Sequence, residues 1–181
     1  FLLPVGGLLI CALYSFTKTH VDTNRVIESV RGDQNVPWYM APLIFVGTVI
    51  THLLGGSAGR EGAALQLGGS IGTHVGRFFR LDEKDMSLVV LSGMSGVFAA
   101  LFGTPLTAVF FALEVISVGV IYYAGLIPCL VASLVAYTIS DFFGYGVEIN
   151  MQLAVPEFAW LDIGRLVILS VCCALLSIIY I

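Results

Sequence analysis

The sequence predicts an all-α, polytopic membrane protein assembled from short, broken and tilted helices. Three observations carry that expectation. Mean hydropathy is +0.98, and 58% of the 181 residues are hydrophobic while 11% are charged, against about 25% charged in an ordinary soluble domain. Apolar runs alternate with short polar breaks along the whole chain. Several runs are only 12–17 residues long and are broken by Gly or Pro, whereas a helix that simply spans a bilayer needs about 20 apolar residues. Half-length helices joined by irregular backbone are tolerated at membrane depth only where protein or water satisfies the freed N–H and C=O groups. Transporters and channels use such interruptions to aim helix N-termini at anions.

The same numbers exclude other classes. A disordered chain and most soluble enzymes are incompatible with this hydropathy, leaving a large buried helical core as the remote alternative. Eight Lys plus Arg against twelve Asp plus Glu give a net charge of −4, which argues against a nucleic-acid partner or any polyanion. Cys11, Cys129, Cys172 and Cys173 sit in apolar runs without metal-ligand spacing, so neither a metal, a cofactor nor a disulfide framework is expected. No basic n-region precedes the first apolar run, as a signal peptide would require. The chain reads as an internal piece of a longer multi-pass protein, with residues 1–181 forming one partial membrane domain and no soluble domain.

Taken in order, residues 1–17 are nearly free of charge and end at Lys18. Residues 19–35 collect polar groups, and Val21, Val26, Ile27 and Val30 mark a short amphipathic helix capped by Asp22 or Thr23. Pro37 and Pro42 punctuate the approach to an apolar run at 43–54, too short to span unless it starts near Trp38. A glycine-dense break at 55–62 leads into an apolar segment at 63–79, and a charged turn at 80–85 precedes another at 86–102. Gly103-Thr104-Pro105 breaks the chain again before a short run at 106–117. Residues 122–143 are long enough to span, 144–162 read as a polar loop, and 163–181 begin a further span.

The sharpest chemistry lies in Gly55-Gly56-Ser57-Ala58-Gly59-Arg60-Glu61-Gly62. Four glycines fall in these eight residues, three before Arg60 and one after Glu61, and together they free the backbone for φ > 0 and close approach to a ligand. A helix starting at Ala63 would present unpaired first-turn N–H groups beside that loop, a ready anion site. Glu61 stands where the anion would sit, able to occupy the site or to take a proton and swing away. The plainer reading, that Glu61 complements the helix dipole and pairs with Arg60, is the weaker one inside a membrane segment, where an ionisable residue is functional by default. Gly68, Gly72 and Gly76 recur every four residues on the next helix and read as packing positions. Pro105 suits the first turn of a second interrupted helix, and Glu114 nine residues on reads as a proton-handling group or an acid paired with a neighbouring helix.

Enzyme readings are weaker. Gly55-Gly56-Ser57-Ala58-Gly59 and Gly68-Gly69-Ser70-Ile71-Gly72 both match G-x-S-x-G, and Gly93-Met94-Ser95-Gly96 resembles the motif of intramembrane serine proteases, with His52 or His74 as base. The elbow needs a strand–turn–helix context that the apolar pattern does not offer. No phosphate-binding loop is present, because no Lys-Ser/Thr pair follows the glycines.

Gly59-Arg60-Glu61-Gly62-Ala63 resembles the G-R-E-G-P motif of the CLC family of chloride channels and proton-coupled anion antiporters, with Ala63 in place of Pro. The similarity continues through Gln66-Leu67-Gly68-Gly69-Ser70-Ile71-Gly72 and returns at Ala99-Ala100-Leu101-Phe102-Gly103-Thr104-Pro105-Leu106. It implies the N-terminal half of a homodimeric, two-pore, inverted-repeat cell-membrane protein that moves chloride or another small anion, with or without protons. It further implies that Glu61 is the external gate and that Gly59, Arg60, Gly62 and Ala63 form part of the anion site. The family's anion-coordinating serine falls at Val21, and its internal proton-relay glutamate at Val115, beside Glu114. Either Glu114 substitutes, or protons take another route, or none are carried. Fluoride-exporting relatives also depart from the serine loop, which makes a fluoride/proton antiporter the alternative.

Overall fold

The computed structural model describes residues 3–17, 36–116, 122–145 and 160–180, all helical or loop-like, with no strand among them. They fall into two units, one within 1–147 and one within 148–181. The first contains α1 (Leu3–Thr17), α2 (Met40–Leu53), α3 (Glu61–Phe78), α4 (Glu83–Phe102), α5 (Pro105–Glu114), a 3₁₀ turn at Tyr123–Gly125 and α6 (Leu126–Phe142). The second contains α7 (Trp160–Tyr180).

Proline sets many of the starts. Pro4, Pro42, Pro105 and Pro128 each lie within the first three positions of a helix, where a missing N–H leaves no intrahelical bond unmade. Two starts fall earlier than the apolar pattern places them. Helix α4 begins at Glu83 rather than Met86, because Asp82 caps it: its carboxylate accepts the Asp85 N–H at 2.9 Å. Glu83 and Asp85 then lie at the positive end of the helix dipole. Helix α3 begins at Glu61 rather than Ala63. Residues 144–162 are likewise not wholly a loop, since α7 starts at Trp160. The amphipathic helix expected around Val21 lies outside the described residues.

Helix α4 is the spine of the first unit, packed by α3, α5 and α6, while α2 lies on α3 and α1 on α2. Its Val90, Leu91, Met94, Phe98 and Ala99 meet Ile44 and Met40 of α2, Ala64 and Leu65 of α3, Ala108 and Leu113 of α5, and Cys129 of α6 in one core. The α3–α4 contact is backbone on backbone. A Cβ on Gly68 would overlap the Gly93 carbonyl oxygen, and one on Gly72 would come within 2.8 Å of the Val89 oxygen; on Gly76 it would meet the Met86 sulfur. In lipid, where burial of apolar surface drives little, such close approach supplies the association energy.

Among the described residues, three segments are long and apolar enough to cross a bilayer: Glu83–Phe102, Tyr123–Phe142 and Asp162–Ile179. Others are short, and α5 with 10 residues covers about 15 Å of a hydrocarbon layer about 30 Å thick.

The Gly68 contact predicts its own test in the full-length protein. Gly68→Ala should lower stability by about 3 kcal/mol, because backbone cannot yield as a side chain can. Gly7→Ala, with nothing within 4 Å of the added carbon, should be neutral or stabilising by up to about 1 kcal/mol. Thermal unfolding in detergent compares the two.

Candidate functional site

The site is built where α2 stops and α3 starts. Helix α2 ends in a six-residue clasp: Gly55 N–H donates to the His52 carbonyl at 3.1 Å and Gly56 N–H to the Thr51 carbonyl at 2.7 Å. This is a Schellman end, and it requires a left-handed residue just past the cap. Gly55 supplies it at φ +81°. Gly56 must also lack a side chain, since a Cβ there would lie 2.8 Å from the Thr51 carbonyl oxygen.

The loop then delivers Arg60 as the N-cap of α3, with no side chain capping the helix. The first helical bond closes from Ala64 N–H to the Arg60 carbonyl at 2.9 Å. The N–H groups of Glu61, Gly62 and Ala63 therefore have no acceptor within their own helix. Glu61 is exposed in this chain. Its carboxylate folds back over the loop, so that Oε2 would lie 2.6 Å from a Cβ on Gly59. Glycine at 59 leaves room for that carboxylate. These three amides lie at the positive end of an 18-residue helix, which favours a negative charge beside them.

Arg60 does not pair with its neighbour. Its Nε–H donates to His52 Nε2 at 3.3 Å, and His52 Nδ1–H donates to the Thr48 carbonyl at 2.8 Å. A cavity of about 220 Å³ reaches the helix start, its walls mostly apolar, including Ile44, Phe45, Ala63, Leu67 and Leu101, with Arg60 and Thr48 as polar members.

Glu114 differs from expectation. It is the last residue of α5, not an interior one, and it is exposed. It therefore sits at the negative end of the helix dipole, where a carboxylate gains nothing from the helix. Val115 follows half-buried at the edge of the core. Glu61 and Glu114 thus stand at a helix start and a helix end, and no hydrogen bond or ion pair joins them. Val21 lies outside the described residues. The serine-hydrolase constellation is not assembled: Ser95 is buried in the middle of α4 and its Oγ donates to the Cys129 carbonyl at 3.2 Å. His74 Nδ1–H donates to the Ser70 carbonyl of its own helix. Among the described residues no group of His, Cys, Asp and Glu could hold a metal ion.

Short, interrupted apolar helices packed around a bilayer-length spine define a polytopic membrane protein. The family model for voltage gated chloride channels matches residues 6–181, and the chain belongs to that family. It is 38% identical over 146 residues to the chloride/fluoride channel protein of Pseudomonas syringae pv. tomato, covering 79% of this chain and 32% of that protein. It is 37% identical over 78 residues to the H(+)/Cl(-) exchange transporter ClcA of Vibrio campbellii, covering 42% of this chain and 17% of that one. The crystal structure of a CLC-type fluoride/proton antiporter superposes with a TM-score of 0.83 at 34% identity, over 94% of this chain and 44% of that one. The chain therefore spans less than half the length of each of these relatives.

The clasp at the end of α2 separates two costs. Gly55→Ala meets no atom within 4 Å and should cost about 1 kcal/mol through its backbone conformation alone, with Gly55→Asn costing less. Gly56→Ala should cost more, about 1–3 kcal/mol, because it displaces the Thr51 carbonyl. Melting temperatures of the full-length variants order the three.

Proposed function

We propose that this chain is part of a CLC-type anion channel or proton/anion antiporter, with residues 1–181 one partial membrane domain, and that Glu61 is its gate. The observation that carries the reading is the placement of Glu61 as the first residue of α3, its carboxylate folded over Gly59 beside amides that have no partner in the helix. A carboxylate in that position blocks a small anion that seeks the same amides. Protonation removes its charge, weakens its hold on the helix start and vacates the place. Gly59, Gly62 and Ala63 supply the space and the donors, and Arg60 adds positive charge at the lip. We further propose that the complete protein is a multi-pass homodimer of the cell membrane.

Chloride is the substrate first proposed. Fluoride is the second reading, favoured by the crystallised fluoride/proton antiporter that matches 94% of this chain and by Val21, which offers no hydroxyl to an anion. Glu114 lies at an exposed helix end, so a proton reaching it meets solvent rather than the Glu61 site.

The full-length protein in liposomes tests the gate. Glu61→Gln should abolish anion-driven proton movement and flatten the pH dependence while anion flux persists. Ser95→Ala should leave transport within about twofold and cost about 1 kcal/mol of stability through the lost bond to Cys129. Chloride, fluoride and proton electrodes read flux and coupling together; an unchanged flux, coupling and pH response in Glu61→Gln removes the gate.

A further inference from the structure

We infer that His52 is a positioning residue for the gate: its Nε2 lone pair holds the Arg60 guanidinium against the end of α2 and so keeps Arg60 off the Glu61 carboxylate. The inference rests on the reading of Glu61 as the gate and deepens it.

The ring is fixed in orientation and in tautomer. A carbonyl can only accept, so the 2.8 Å contact with Thr48 places the imidazole hydrogen on Nδ1. Nε2 is then a bare acceptor, the only form that can receive the Arg60 Nε–H at 3.3 Å. The backbone under the ring is fixed as well, because the His52 carbonyl accepts Gly55 N–H in the clasp that ends α2. Arg60 and Glu61 are adjacent in sequence and would otherwise pair, and an Arg–Glu pair at the helix start would hold the carboxylate charged and in place. Holding the guanidinium eight residues back on another helix leaves the carboxylate to the amides alone.

Protonation of His52 would put a hydrogen on Nε2 and set two cations against each other. Arg60 is then released toward Glu61. The titratable and charged groups on the helices packed against α2 are Cys11 and Tyr14 of α1, and Glu61, His74 and Arg77 of α3 with Arg60 at its cap. Tyr14 sits with its hydroxyl beside Gly47, more than a turn before His52. Arg77 donates to the Val36 carbonyl at 2.8 Å, and His74 bonds within α3.

The test uses the full-length protein in liposomes, with anion flux followed from about pH 5 to pH 8. His52→Leu removes the acceptor and should change flux near neutrality by about two- to fivefold, the size of one exposed charge-assisted hydrogen bond, and remove part of the pH dependence. His52→Gln keeps a neutral acceptor and should restore the neutral-pH flux. His52→Leu should have no further effect in a Glu61→Gln or an Arg60→Met background. Independently of how any variant folds, ¹⁵N NMR of the wild-type ring should report the Nδ1–H tautomer, and the Nε2–H tautomer would overturn the inference. If Glu61→Gln is silent, the gate fails and this inference fails with it. If Glu61→Gln acts while His52→Leu and His52→Gln behave alike, or while His52→Leu acts undiminished in the double variant, the role of His52 falls and the gate stands.

Discussion

Backbone N–H groups at the start of a helix cannot be satisfied by that helix, and hydrocarbon offers no water to take them. The first unit is organised around this constraint. Helix α3 starts after a glycine loop with no side-chain cap, so whatever meets its first amides must come from outside the helix. Glu61, the helix's own first residue, lies exposed at that start with its carboxylate folded back over Gly59, and a single proton removes its charge. The site is defined less by a ligand-shaped cavity than by an unpaid backbone obligation.

Keeping that start in place takes two further contacts. The Schellman end of α2 fixes where the loop begins, and the glycine contact of Gly68 with Gly93 fixes the depth of α3 against α4. Helix α4 is in turn enclosed by α5 and α6. A side chain at Gly68 would push α3 from its spine and carry the amides with it. Hence the glycines at 55 and 56 and those at 68 and 72 serve one end by different means: the first by backbone conformation and turn space, the second by letting two helices touch.

Much of this was legible in the residues. Hydropathy and the Gly/Pro breaks pointed to the class, since a break at membrane depth has few physical solutions, and the four-residue spacing of Gly68, Gly72 and Gly76 marked packing positions without naming the partner helix. The misses have local causes. Asp82 extends α4 toward its N-terminus because a cap outweighs the apolar pattern over one turn. Glu61 is inside α3 rather than before it because Arg60, already in helical conformation, closes the first hydrogen bond. Glu114 is the last residue of α5 although the apolar run continues past it, so the run's length overstated the helix. The bond between His52 and Arg60 was out of reach: it joins two helices across a loop, and neither spacing nor periodicity encodes which neighbour a guanidinium chooses.

The surfaces left open point to two different solvents. Helix α7 carries exposed Leu166, Ile168, Leu176 and Ile179 around its circumference, with its charge confined to an Asp162–Arg165 pair at 3.0 Å near the start. A helix apolar on every side is stable only in hydrocarbon or inside protein. Glu61 and Arg60, by contrast, are exposed at a helix start that water or polar protein must reach, because an isolated charge in lipid is too costly. One chain that demands both environments suits a membrane protein whose charged helix start is kept from lipid.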